Sequence, residues 1–284
     1  MFQYAVGRSL ALKKGCALKL DVQGFSNYGL HQGFELDRVF NCAVDFASQA
    51  DINSVLKWQA PLGIRRVLAR RPFRLIRRDA WFCEPGFSYS AKINELPDTC
   101  YLSGYWQSER YFGAYAQQIR KDFTFSIAPS LENQRILEKI RSVNAVSVHV
   151  RRGDYLKSKA NLDLYGVCSI EYYRNAIALI RDKIEDPYFL IFADDMDWIR
   201  DQLGTDENIV YIDHNRGSES FNDMRLMSAC SHHIIANSTF SWWGAWLGSN
   251  ENKIVVAPEP WFNSKRMDTR DLIPKPWQLV SKNA

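Results

Sequence analysis

Residues 145–155 read AVSVHVRRGDY and lie near the middle of this 284-residue chain. The valine-rich run 145–150 predicts a buried strand, which delivers two arginines, a glycine and an aspartate at its carboxyl end. Open α/β sheets bind ligands at that end of their strands. Adjacent guanidinium groups match phosphate or carboxylate oxygens in geometry and charge. Taken alone, the stretch leaves two interpretations open: an anion site, or a surface arginine pair bridged to Asp154.

A second stretch, residues 232–247, reads HHIIANSTFSWWGAWL. It predicts a strand that ends at Asn237 and turns directly into a helix capped by Ser238 or Thr239. Backbone N–H groups at a helix start form a ready anion site. Two phosphate-compatible strand ends in one half of the chain together indicate a diphosphate ligand.

With FADD at 192–195 between them, these stretches resemble the three motifs of the α-1,2-fucosyltransferases, glycosyltransferase family 11. The arginine motif reads HVRRGD at 149–154, and the last motif reads NSTFSWWGA at 237–245. The similarity extends to YLSGYWQSERYF at 101–112, so it covers most of the chain. The resemblance implies an inverting enzyme that transfers L-fucose from GDP-fucose in α-1,2 linkage to galactose. Its acceptor would be a galactose-containing oligosaccharide or lipid-linked glycan of the cell surface.

The predicted fold class is α/β, with two Rossmann-like domains facing a cleft in a GT-B-like arrangement. Strands are predicted at 145–150, 188–193, 209–212, 232–236 and 253–257, and helices at 169–184, 195–203, 218–231 and 239–247. This alternation is typical of βαβ units and a parallel sheet. We expect an acceptor-side domain over 1–128 and a GDP-sugar-binding domain over 129–284, because a short linker and the capped helix from Ser130 separate the two halves.

The amino-terminal segment predicts a helix over 2–14 that ends at Gly15, followed by a strand over 18–22. The chain therefore opens on the helix of a βα unit whose first strand is missing. By the family resemblance, a strand and a glycine-rich Gly-Asn-Gln loop would precede this helix. We interpret the sequence as having a mis-assigned start or as being a fragment.

The composition of the chain bears on its core size, its partners and its compartment. A hydrophobic content of 46% supports one large core or two smaller ones, and the net charge of +4 gives no indication of nucleic-acid binding. The six cysteines show no metal spacing, which is typical of a reducing compartment, so we expect a cytoplasmic protein. No apolar run approaches the ~20 residues of a membrane span.

An arginine-rich stretch at 65–78 concentrates the positive charge, with seven arginines interrupted by apolar residues. One interpretation is a peripheral contact with anionic lipid on the cytoplasmic membrane face, or with a lipid-diphosphate acceptor. The other is a solvated helical hairpin.

We assign the site residues from the charge that develops on the leaving group during glycosyl transfer. Breaking the bond to a nucleoside diphosphate builds negative charge on the leaving phosphate, which a fixed cation can stabilise. We assign this catalytic role to Arg151. The predicted donor-binding residues are His149, Arg152, Asp154, Asp194, Asn237, Ser238, Thr239, Phe240 and Ser241. Tyr105 and Trp106 are predicted to contact the acceptor sugar, with core packing as the alternative.

No metal or other cofactor is expected. Asp195 and Asp197 have the Asp-x-Asp spacing of cation-dependent sugar transferases, but we interpret Asp195 as the start of the next helix. His232 and His233 have no Cys or His partner at zinc spacing. The chain also lacks Walker, Gly-x-Ser-x-Gly and Gly-x-Gly-x-x-Gly motifs, so hydrolase, kinase and dinucleotide-binding functions have no motif here.

Two other functions stay open. One is a sugar-nucleotide-binding module without turnover. The other is a related α-1,6- or protein O-fucosyltransferase, because relatives of those kinds also carry the arginine motif. Formation of product from GDP-fucose and a galactoside would separate these alternatives from the main interpretation.

Overall fold

The structure, a computed structural model, describes residues 1–25, 33–264 and 267–283, with the side chains of Arg71 and Asp154 left out. The chain divides into two compact units. The first comprises Met1–Ile127 and Asp268–Pro274, and the second comprises Ala128–Met267 and Lys275–Ala284. Within the described ranges, no helix is both long and apolar enough to cross a membrane.

The first unit is mainly helical. Its elements in chain order are α1 (Phe2–Lys14), α2 (Leu36–Val39), α3 (Gln49–Leu56), α4 (Leu62–Leu68), β1 (Trp81–Cys83), β2 (Tyr101–Ser103) and α5 (Ala116–Asp122). Short 3-10 helices lie at Gln23–Phe25, Lys57–Gln59, Arg71–Ile76, Ala91–Glu95, Glu109–Tyr111 and Gly113–Tyr115. The predicted first helix is confirmed, and Gly15 ends it with a φ of 66°, a left-handed conformation that favours glycine.

The sheet of the first unit is smaller than the sequence predicts. β1 and β2 form a parallel pair, and within the described ranges this unit has no further paired strand. The predicted strand over 18–22 is present only as an isolated bridge between Leu20 and Phe46. Asp21 is a charged residue of this segment. Its carboxylate lies inside, where it accepts hydrogen bonds from Arg65 and the Tyr101 hydroxyl.

The second unit alternates helices and strands. Its elements are α6 (Leu131–Arg141), β3 (Asn144–Val150), α7 (Gly153–Leu156), α8 (Lys159–Tyr165), α9 (Ile170–Lys183), β4 (Pro187–Ala193), α10 (Met196–Leu203), β5 (Ile209–Ile212), α11 (Phe221–Ala229), β6 (His232–Ile234), α12 (Thr239–Leu247), β7 (Val255–Glu259) and β8 (Gln278–Ser281). A 3-10 helix at Gly217–Glu219 precedes α11. The alternation predicted from 145 to 257 is confirmed, with element ends shifted by a few residues. The sequence did not predict α7, α8 and β8.

Six strands of the second unit form one parallel sheet in the order β5-β4-β3-β6-β7-β8. Numbered from the first strand of this unit, that order is 3-2-1-4-5-6, the order of Rossmann folds. The chain builds outward from β3 to one edge and then returns to add β6 on the other side of β3. The switch point, where doubly wound sheets bind their ligands, therefore lies between β3 and β6.

Both faces of this sheet are covered by helices. Val146, Val148 and Val150 point to one side, where α9 and α10 bury their apolar residues. Ala145 and, on the adjacent strand β4, Phe192 point to the other side and pack with α6 and α11. Successive side chains of a strand face opposite sides of a sheet, so the valines at alternate positions explain why β3 is central.

Candidate functional site

Most of the predicted site residues meet at the carboxyl edge of the second unit's sheet. β3 ends at Val150 and is followed by the two arginines, while β6 leads into the start of α12. These two strands pair directly, with Val148 opposite Ile234. The arginine motif and the start of α12 therefore flank the switch point of the sheet.

Asp194 braces the turn that carries the arginines. Val150 pairs with Ala193, so Asp194 follows β4 beside Arg151. One carboxylate oxygen, Oδ1, accepts the backbone N–H groups of Arg152 at 2.8 Å and Gly153 at 3.0 Å. The other, Oδ2, lies 3.4 Å from Nε of Arg151. The Asp194 carboxylate thus holds both the backbone of the turn and the guanidinium group of Arg151.

The two arginines have different surroundings. Nε of Arg152 lies 3.3 Å from Oδ2 of Asp195, and its Cζ lies 4.3 Å from the centre of the Trp198 ring. Arg152 is therefore held against α10 by an ion pair and a cation–π contact. Arg151 contacts Asp194, and 32% of its side chain is exposed. The ion pairs of the arginines run to Asp194 and Asp195, while the side chain of Asp154 lies outside the described residues.

Asp195 occupies the N-cap position of α10, which confirms its interpretation as a helix start. Asp197 lies in the first turn of the same helix, where the negative charge of a carboxylate interacts favourably with the helix dipole. Across the described residues, no group of three His, Cys, Asp or Glu side chains is arranged to hold a metal ion.

His149 lies on the face of β3 that Phe240 covers, with 5.7 Å between the two ring centres. Burial and, to a lesser extent, the nearby Arg151 lower the pKa of its imidazole to about 3, against the raising effect of Asp194. The ring is therefore neutral at physiological pH. Its Nδ1 is buried and has no hydrogen-bond partner among the described residues, and the ring brings no charge to the site.

Of the three predicted hydroxyl residues at the start of α12, two are bonded to the backbone and one is exposed. Ser238 is the N-cap, and its Oγ accepts the N–H of Phe240 at 3.3 Å. Ser241 is fully buried and donates to the carbonyl of Ser238 at 3.2 Å. Thr239 is exposed. Because the first N–H groups of a helix have no intrahelical partner, this end presents backbone donors next to the Thr239 side chain.

Asn237 ties the surrounding loops together. Its side chain is 1% exposed, and its Nδ2 donates to the carbonyls of Tyr165 at 2.9 Å, Trp261 at 3.1 Å and Gly166 at 3.3 Å. Its own carbonyl accepts the hydroxyl of Tyr155 at 3.2 Å. The amide therefore faces the protein interior and orders three chain segments around the edge of the sheet.

The two predicted acceptor residues belong to the first unit and differ in exposure. Tyr105 is 67% exposed, whereas Trp106 is 1% exposed and packs against Phe82 and Tyr111. Glu84 holds both backbones, since its Oε2 accepts the N–H groups of Tyr105 at 2.7 Å and Trp106 at 3.0 Å. The structure thus presents the Tyr105 ring to solvent and places Trp106 behind it in the core.

Asp223 is a polar residue of the same sheet edge that the sequence did not indicate. It lies in the first turn of α11, the helix that follows β5, and its Oδ1 accepts Nδ2 of Asn215 at 2.9 Å. Asn215 is bonded in turn to Asn133 near the start of α6. Burial raises the pKa of Asp223 to about 7, against the lowering effect of the Asn215 hydrogen bond. No motif marks this residue, and its pKa depends on contacts that the sequence does not show.

The family comparison agrees with these motifs. The model of the family described as "Glycosyl transferase family 11" matches residues 87–281, which is more than half of the chain and includes both strand-end motifs. This chain belongs to glycosyl transferase family 11. The resemblance found in the sequence is confirmed.

Two relatives of this family-11 glycosyltransferase match over nearly its full length, and a third matches over part of it. It is 34% identical to "Alpha-1,2-colitosyltransferase" of Escherichia coli, over 99% of this chain and 95% of the relative. It is 32% identical to "O-antigen biosynthesis glycosyltransferase WbnK" of Escherichia coli, over 95% of this chain and 94% of the relative. It is 28% identical to "Galactoside alpha-(1,2)-fucosyltransferase 1" of Aotus azarae, over 72% of this chain and 57% of the relative.

One prediction concerns the titration of Asp223 in this family-11 glycosyltransferase. Its pKa rises from 3.8 to about 7 on folding, so its contribution to stability is full below pH 3.8 and is lost as the pH rises to about 7. Compared with the Asp223→Asn variant, the wild type should therefore lose about 2 kcal/mol of unfolding free energy over this range, allowing for partial solvent screening. Urea unfolding at a series of pH values measures the difference.

The exposed Asp201 provides a control for this experiment. Asp201→Asn should follow the pH dependence of the wild type. Equal pH dependence of the wild type and Asp223→Asn would show that Asp223 titrates alike in the folded and unfolded states.

Proposed function

We propose that this glycosyltransferase transfers L-fucose from GDP-fucose to galactose in a cell-surface glycan, forming an α-1,2 linkage with inversion at the anomeric carbon. The observation that carries the proposal is the meeting of the arginine turn and the α12 start at the switch point of the sheet. A diphosphate placed there would meet a guanidinium group from one side and helix N–H donors from the other.

Each residue of this edge has a role in the proposed reaction. As the bond between fucose and the diphosphate breaks, negative charge grows on the leaving phosphate, and Arg151 stabilises that charge. Arg152, stacked on Trp198, adds a fixed positive field. Asp194 positions the arginine turn, since it holds both the backbone and the Arg151 side chain.

The remaining donor contacts come from the other strand end and from the buried face of the sheet. The α12 start, with the exposed Thr239, binds phosphate oxygens through its backbone N–H groups. Neutral His149 and the adjacent Phe240 form the wall beneath the nucleotide. Asn237, Ser238 and Ser241 keep this end in place through hydrogen bonds to the backbone.

The proposal needs no metal ion, because the arginines and the helix start supply the positive charge that a cation would bring to the diphosphate. It retains the GT-B-like architecture that the sequence resemblance implies, with the second unit as the donor domain. The exposed ring of Tyr105, backed by Trp106, is proposed to contact the acceptor, a galactose-containing oligosaccharide or lipid-linked glycan.

A second donor, GDP-colitose, is favoured by one comparison. The relative that is 34% identical over 99% of this chain is an α-1,2-colitosyltransferase. Colitose is L-fucose without its 3-hydroxyl group. A site that hydrogen-bonds this hydroxyl would reject the deoxy sugar by about 10⁴-fold, whereas a site that merely leaves room for it would accept both sugars.

The decisive experiment measures turnover of both GDP-sugars with a panel of galactosides in excess chelator. We expect the higher kcat/KM with GDP-fucose, and a product whose NMR spectrum shows an α-1,2 linkage. A preference for GDP-colitose would establish the second donor. Donor binding without turnover would indicate a binding module, and product in another linkage would indicate an α-1,6- or protein O-fucosyltransferase. Loss of activity in chelator, restored by magnesium or manganese, would return Asp195 and Asp197 to the site.

A further inference from the structure

The arginine-rich stretch of the first unit presents apolar side chains to solvent. Leu75 is 97% exposed, Ile76 is 53% exposed and Val67 is 46% exposed. Leu75 has the highest exposure of the exposed large apolar side chains in the described ranges. The basic apolar surface is defined here as the exposed side chains of Ile64, Arg66, Val67, Arg70, Arg74, Leu75, Ile76 and Arg78. Surface apolar residues usually occur singly, so three of them in one short segment make this segment a candidate interaction site.

The backbone that carries this surface is fixed from beneath. On α4, Leu68 packs into the apolar cluster of Ile52 and Leu56. Arg65 faces inward to Asp21. The buried Gln59 bonds to the chain at the end of the 3-10 helix Arg71–Ile76, since its Nε2 donates to the carbonyl of Ile76 at 2.8 Å. Its Oε1 accepts the N–H of Arg78 at 3.1 Å.

The contacts of Leu68, Arg65 and Gln59 show that the backbone beneath the basic apolar surface is well packed and is not a loose loop. Gln59 holds the backbone on both sides of Arg77 by hydrogen bonds made on the inner side, while Leu75 and Ile76 are exposed. The predicted solvated helical hairpin does not account for apolar side chains exposed in this way.

The segment that carries this surface is strongly positive in charge. Residues 63–79 contain seven arginines and one aspartate, a net charge of +6. Subtracting that from the +4 of the whole chain leaves −2 for the remaining residues. Among these arginines, Arg66, Arg70, Arg74 and Arg78 are exposed around the apolar side chains. Charge complementarity therefore favours an anionic partner.

The mixture of charge and apolar exposure identifies the kind of partner. A nucleic acid or a free phosphate would use the arginines but leave Leu75 and Ile76 in water. An anionic bilayer uses both, because arginines lie among the head groups while apolar side chains enter the acyl boundary. Trp58, 59% exposed on the adjoining 3-10 helix Lys57–Gln59, is of a type enriched at membrane interfaces.

We propose that the basic apolar surface docks this protein on an anionic lipid bilayer, with Leu75 and Ile76 inserted between head groups and Arg70, Arg74 and Arg78 bound to lipid phosphates. The contact is peripheral and is independent of the sugar that the enzyme transfers.

Co-sedimentation with vesicles tests this inference. The full chain is mixed with vesicles of phosphatidylcholine alone or with added phosphatidylglycerol, at low and high salt. We expect binding to the anionic vesicles only, weakened by salt. Leu75→Ser/Ile76→Ser and Arg70→Gln/Arg74→Gln/Arg78→Gln should each lower the partition coefficient by at least about tenfold.

Matched controls come from the second unit, where Leu131→Ser and Arg135→Gln alter another exposed leucine and arginine. Both controls should bind as the wild type does, and circular dichroism should show that all variants are folded. Absence of wild-type binding would overturn the proposal. Unchanged binding of Leu75→Ser/Ile76→Ser, with single-stranded DNA competing as well as vesicles do, would replace a bilayer with a general polyanion.

Discussion

Arg151→Ala is expected to lower kcat by roughly 10² or more without unfolding the protein. Arg151 follows the end of β3 and its side chain is 32% exposed, so removal of the side chain leaves no large cavity in the core. What is lost is the fixed positive charge beside the departing diphosphate, and removal of a comparable charge-stabilising donor costs about 10²–10³ in kcat. Lysine should restore part of the rate, because it returns the charge but not the planar fork.

A kinetic comparison can separate this role from a structural one. Thermal unfolding should be nearly unchanged in Arg151→Ala, and calorimetric titration with GDP separates donor binding from turnover. Arg174→Ala is the matched control, since Arg174 is an exposed arginine on α9 that pairs with Glu171. It should keep the wild-type rate. Near-native turnover of Arg151→Ala would remove the central assignment of the proposed mechanism.

The edge of the sheet that carries the site could be predicted because it depends on local patterns. The valines of β3 and the serine-capped start of α12 fix where each element ends, and the ends of parallel strands meet at one edge. The sequence therefore located the arginine turn, Asp194 and the α12 start without any knowledge of the sheet order.

The direction of individual side chains at that edge could not be predicted, because their partners are distant in sequence. Asn237 donates to the carbonyls of Tyr165 and Trp261, and no pattern around Asn237 reveals either segment. Asp223 has a raised pKa because it is buried next to Asn215, which a sequence pattern does not show. The same limit applies to Trp106, whose burial follows from packing against Phe82 and Tyr111.

β8 was missed for a related reason. This strand is four residues long, and among the described strands it pairs with β7 alone, at one edge of the sheet. Its two apolar residues, Leu279 and Val280, are adjacent, so they show no alternation, and Leu279 is 48% exposed. Edge strands with one neighbour need little apolar surface, which removes the periodic signal used to find strands.

Arg65 is a buried residue within an arginine-rich run, and we expect its substitution to destabilise the protein strongly. It is one of seven arginines in a stretch that reads as surface, yet its side chain is 6% exposed. Its guanidinium donates to Asp21 and, at 2.6 Å, to the Tyr101 hydroxyl. Burial raises the pKa of Asp21, but the hydrogen bonds from Tyr101, the Gln23 backbone and Arg65 outweigh it and lower the pKa.

We expect Arg65→Ala to cost about 3 kcal/mol of unfolding free energy, because it leaves the largely buried Asp21 carboxylate without its ion-pair partner. The neighbouring exposed Arg66→Ala should change stability by less than about 0.5 kcal/mol. Chemical denaturation followed by circular dichroism measures both. Arg66 is the matched control because it has the same side chain one position along α4.

A double-mutant cycle isolates the ion pair itself. Arg65→Ala/Asp21→Asn should be destabilised by less than the sum of the two single variants, because the double variant no longer buries an unpaired charge. The loss in Arg65→Ala should also shrink in acid, near the ordinary pKa of aspartate, since the isolated carboxyl group can then take up a proton. Additive losses that do not change with pH would show that Arg65 stabilises the first unit through packing of its side chain and not through its charge.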